Sequence, residues 1–102
     1  MTHDEIMGTD ETGRLLEALC VLDTPAEARA LMLDLCTPKE IEDFAQRLEV
    51  ARLLDAGESY LEVQEATGAS STTVSRVSKC LNGPEGGYRI VLDRMSSADA
   101  GR

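Results

Sequence analysis

Aromatic side chains are nearly missing from this chain of 102 residues: there is no tryptophan, and only Phe44, Tyr60 and Tyr88 carry rings. Any core must be aliphatic, which favours packed helices over a two-sheet sandwich. Histidine is scarcer still, with His3 alone, close to the start of the chain. That leaves no Ser/His/Asp or Cys/His arrangement to activate a nucleophile. The adjacent carboxylates Glu42 and Asp43 would point to different faces of a helix. The sequence therefore predicts no catalytic residue and no enzyme. Cys20, Cys36 and Cys80 are far apart and form no CxxC pair. This argues against a metal site and reads as small buried thiols in a reducing compartment. No run is apolar enough to span a bilayer, and the N-terminus lacks a basic-then-apolar signal. The expected location is the cytoplasm, with no membrane partner and no cofactor.

Positive charge is also in short supply, since ten Lys and Arg stand against nineteen Asp and Glu, a net charge of −9. A uniformly acidic surface would oppose nucleic acid. The excess is not uniform. Residues 1–58 hold fourteen acids and five bases, whereas residues 59–102 hold five of each. The second half is electrically balanced and is the place to look for an anionic partner.

What is present in quantity is helical patterning. Met1–Asp10 is polar and is expected to be disordered, as is the small, polar tail Ser96–Arg102. Between them, residues 11–95 read as one helical domain. Leu15, Leu16, Leu19 and Leu22 recur at helical spacing from about Glu11. Thr24-Pro25-Ala26-Glu27 and Thr37-Pro38-Lys39-Glu40 then repeat one signature. Each threonine can accept from the third amide of its helix, each glutamate can reach back to the cap's own N–H, and proline fits the first helical position. The helix from Pro38 should close at Gly57. Ser59-Tyr60-Leu61-Glu62 opens another, with Leu61, Val63 and Ala66 expected inside, and Gly68 stops it. Val74, Val77 and Leu81 mark the buried stripe of the next. After the breaker Asn82–Gly87, residues Tyr88, Val91, Leu92 and Met95 suit a short last helix. The count is six.

Two short helices joined by Thr67-Gly68-Ala69-Ser70 make residues 59–81 a helix-turn-helix. With Val74, Val77 and Leu81 inward, Ser71, Thr72, Ser75, Arg76 and Lys79 face largely outward. Short hydroxyl side chains let a helix enter a major groove about 12 Å wide. Arg76 suits a guanine edge and Lys79 a phosphate. Ser70 and Ser71 open the helix with free amides that suit backbone phosphates. The predicted DNA-binding residues are Ser70, Ser71, Thr72, Thr73, Ser75, Arg76 and Lys79. The alternative function is a protein-interaction or dimerisation module that retains the fold without DNA binding, which the net charge favours.

Three segments carry a further likeness: TPKEI at Thr37–Ile41, QRLEVA at Gln46–Ala51 and GASSTTVSR at Gly68–Arg76. With them the chain resembles the Trp repressor superfamily, in its YerC/YecD branch, over roughly Leu15 to Met95. The resemblance implies an all-α fold of six helices in an intertwined homodimer. It also implies a repressor-like transcriptional regulator, with two reading heads on a palindromic site in double-stranded DNA. In that family a small effector sits between the long central helix and the recognition helix, gripped by two arginines that Arg47 and Arg76 match. Val77 stands where the Trp repressor has a glycine flooring the indole pocket, and Cys80 where it has a serine that contacts the ligand's amine. These four residues are the expected ligand site, and the two departures imply that tryptophan is not its effector.

Overall fold

A computed structural model describes the chain from Met1 to Ala100, with side chains through Ala98. It divides into two compact units, one from Met1 to Pro38 and one from Lys39 onward. All regular structure among the described residues is helical.

The first unit holds α1 (His3–Met7), α2 (Asp10–Cys20) and α3 (Pro25–Leu35). Each begins at a threonine. Thr2, Thr9 and Thr24 accept from the amides of Glu5, Thr12 and Glu27 at 3.1, 3.2 and 3.1 Å. Helix α1 is the departure from the expected disorder at Met1–Asp10. Its cap and the acids Asp4 and Glu5 in its first turn favour the helix, because both suit the positive end of the helix dipole. At α3 the capping box closes one residue early: Glu27 accepts from the amide of Asp23 at 2.8 Å, not from Thr24's own N–H. No residue of α1, α2 or α3 is buried. Leu15, Leu16, Leu19, Leu33 and Leu35 are all exposed. The leucine periodicity forms helices here but no enclosed core.

The second unit contains α4 (Pro38–Asp55), α5 (Tyr60–Thr67), α6 (Ser71–Leu81) and α7 (Gly87–Ala100). Helix α4 starts at Pro38, as its capping signature predicts, and Gly57 closes it at φ +94°. The core joins Val50, Ala51 and Leu53 of α4 to Val63, Ala69, Val74, Val77, Leu81 and Leu92. Enclosing a valine stabilises by about 1.5–3 kcal/mol relative to exposure, and Val50, Val63, Val74 and Val77 are all fully enclosed. The stripe Val74, Val77, Leu81 lies inside as expected. The inner face of α5 does not: only Val63 is buried, and Leu61 is 65% exposed. Residues two apart on a helix point in different directions, so Val63 excludes Leu61 from the same face. Ala69, in the turn, fills the core in place of Ala66.

Helix α7 is longer than expected, running through Ser96 to Ala100, so the predicted disordered tail is largely helical. The rest of that tail, Gly101 and Arg102, lies outside the described residues. No described helix is long and apolar enough to cross a membrane.

Candidate nucleic-acid interface

Ser59 and Ser70 set the geometry of this region. Each caps the helix that follows it, accepting from Glu62 N at 3.2 Å and Thr73 N at 3.1 Å. Between the two helices Gly68 takes φ +73°, a left-handed conformation, and its N–H donates to Gln64 O at 2.9 Å. The chain therefore ends α5 and starts α6 within three residues.

The outer face of α6 and the start of α5 enclose a groove of about 650 Å³ lined by Tyr60, Ser71, Thr72, Ser75, Arg76 and Lys79. Five of the seven residues predicted to touch DNA meet there. The other two are placed differently. The Ser70 hydroxyl is committed to the cap and also donates to Thr73 Oγ1 at 3.1 Å. Thr73 is half-buried and turns to the other side of the helix. Tyr60 is the residue that sequence reasoning missed. Its position just after the Ser59 cap, at the mouth of a helix-turn-helix, was the available signal.

Among the described residues Arg76 and Lys79 take part in no ion pair, whereas Lys39, Arg52 and Arg89 are each bound to a carboxylate of the chain. The two cations of this face are thus available to an outside anion.

Behind α6 lies a smaller cleft of about 220 Å³, lined by Asp43, Gln46 and Arg47 from α4 and by Thr73, Arg76 and Val77 from α6. Three of the four expected ligand residues converge there. Cys80 does not line it; one turn beyond Val77, it is exposed. Arg47 stacks over the Phe44 ring with 5.1 Å to its centroid, a cation–π contact that holds the guanidinium at the cleft. Arg76 borders both the groove and the cleft. At the start of α7, Tyr88 packs against the core. Burial pushes its hydroxyl pKa above the usual 10.0, against the opposing pull of the Arg47 charge.

A helix-turn-helix with cations on its outer face, preceded by a long central helix, is a framework shared with helical nucleic-acid-reading proteins. The profile of the family described as Trp repressor protein matches residues 10–96, and the chain belongs to that family. It is 39% identical over 99 residues to the uncharacterized protein YerC of Bacillus subtilis (strain 168), across 97% of this chain and 94% of that protein. It is similar in structure to a TrpR like protein from Eubacterium eligens ATCC 27750, with a TM-score of 0.82 and 38% identity. That match covers 90% of this chain and 95% of the other.

Proposed function

We propose that this protein is a sequence-specific, DNA-binding transcriptional regulator of repressor type that acts as a homodimer on a palindromic site. The observation that carries the reading is the groove on α6, where Ser71, Thr72, Ser75, Arg76 and Lys79 present small hydroxyls and two cations. Small polar side chains let the helix approach base edges, and the cations supply phosphate and guanine contacts. Tyr60 adds a hydroxyl at the rim. Membership of the Trp repressor family supports the same assignment.

The dimer is supported by the first unit, whose helices bury no residue and leave five leucines exposed. The cleft between Arg47 and Arg76 supports a smaller claim. Asp43 also lines it, and the two arginines suit a small anion, such as a carboxylate or phosphate, held between α4 and α6.

The test is selection from a random DNA pool at low salt, with wild type beside an Arg76→Ala, Lys79→Ala variant. The expected outcome is enrichment of a palindrome by wild type and loss of most of that affinity in the variant, by roughly tenfold or more for two charged contacts. No enrichment by wild type, together with stoichiometric recovery of a protein partner, selects the interaction-module reading that the net charge of −9 favours.

A further inference from the structure

Two side-chain clamps tie α4 to the turn before the reading helix and to the cap that ends it. At the leading end, Gln46 Nε2 donates to the carbonyl of Thr67 at 3.2 Å, across 21 positions of sequence. Thr67 ends α5, so its carbonyl is one of the acceptors that a helix leaves without an internal partner. The turn that carries this carbonyl is fixed within itself. The Thr67 hydroxyl donates to Val63 O at 2.7 Å and accepts from Ala69 N at 3.2 Å. Ala69 is buried, and Ser70 then caps α6. Holding the Thr67 carbonyl therefore holds the start of the reading helix.

At the trailing end, Arg89 of α7 donates to Asp55 Oδ1 and to Asn82 Oδ1, both at 3.0 Å. Asp55 is the last residue of α4. Asn82 caps α6, its Nδ2 donating to Ser78 O at 2.9 Å. Between the clamps, Val74 and Val77 fill the space beneath the helix.

The two clamps differ in strength. Arg89 and its partner Asp55 are exposed, and exposed ion pairs contribute little. Gln46 is partly shielded and satisfies an acceptor at a helix end, where a lost bond leaves a polar group without a partner. It also lines the cleft beside Arg47, and its bond joins α4 to the end of α5, just before the turn that starts α6. A ligand shifts a conformational equilibrium only by its differential affinity for the states. A head already fixed leaves it little to shift.

We infer that Gln46 is a positioning residue that sets the reading head for DNA without any effector, with Arg89 as its weaker counterpart. The inference rests on the DNA-binding reading, but its structural half is measurable without DNA. Wild type, refolded from denaturant to remove carried-over small molecules, is compared with Gln46→Met, which keeps length but loses the donor. Gln46→Lys, which restores a donor, completes the set. Hydrogen exchange is followed across residues 67–74, with Val50–Leu53 as the internal reference, and binding to the selected DNA is measured at fixed salt. Gln46→Met should exchange three- to tenfold faster over 67–74, the factor of one ordinary hydrogen bond. It should lose DNA affinity by a similar factor, with the reference unchanged, and Gln46→Lys should recover both. Equal exchange in wild type and Gln46→Met overturns the clamp. DNA binding by wild type only after inorganic phosphate or tryptophan is added overturns effector independence while the DNA reading stands. A wild type that selects no DNA under any condition defeats the DNA reading and effector independence together, and the exchange comparison then decides the clamp on its own.

Discussion

Val77 shows how one side chain can change what a cleft accepts. It is 2% exposed and belongs to the core, yet it also lines the cleft between the two arginines. Its isopropyl group occupies volume that a glycine would leave open, and interiors are packed closely enough that such volume is not recovered by small shifts. Arg47 and Arg76 line the same cleft with Asp43, so on the proposed reading it would take a small anion but offers no floor for an indole. Cys80 offers no compensating contact, because it does not line the cleft and a thiol is a weak hydrogen-bond partner. Titration calorimetry with tryptophan should therefore show no saturable heat in the micromolar range. Saturable binding there would remove Val77 as the discriminating residue.

At the scale of elements, the turn between α5 and α6 depends on one left-handed residue. Gly68 sits at φ +73°, and a methyl group built on it would meet nothing within 4 Å. Replacing it with alanine thus introduces backbone strain without a clash. A left-handed conformation costs an L-residue roughly 1–2 kcal/mol. Gly68→Ala should destabilise by about that amount, seen as a lower denaturant midpoint at unchanged slope. Gly68→Asn should lose less, since asparagine tolerates this region better. Equal losses would point to a cause other than backbone strain. This turn also shows what was legible in the chain. Thr24, Ser59 and Ser70 announce their helices because capping acts over three residues, and the stripe Val74, Val77, Leu81 announces its face because periodicity is local. The inner face of α5 was misread: Leu61 and Ala66 look as apolar as Val63, and only packing against α4 and α6 decides among them. Gln46 gave no signal at all. Its partner lies 21 positions away, and a backbone carbonyl leaves no mark on the sequence. The absence of Cys80 from the cleft was hidden for the same reason, as a product of tertiary placement.

For the whole molecule, the distribution of burial sets the strongest constraint. The second unit encloses its valines, while the first leaves Leu15, Leu16, Leu19, Leu33 and Leu35 exposed. Scattered surface leucines need no explanation, but leucines along successive helices of a unit with no buried residue do. A second copy of the chain would cover them, and a stable interface of this kind requires more than about 1,000 Å². Pairing would also bring two α6 helices into one assembly, and so double the cationic contacts of an otherwise acidic chain. Sedimentation equilibrium should therefore give twice the chain mass of 11.0 kDa, and the melting temperature should rise with protein concentration, as it does when folding and association are linked. Leu16→Glu with Leu19→Glu places carboxylates on that surface, where burying an unpaired charge is costly. The variant should dissociate at micromolar concentration and lose more affinity for the full palindrome than for a half-site. A wild type that remains monomeric at tens of micromolar, with a melting temperature independent of concentration, would assign the exposed leucines to a different partner.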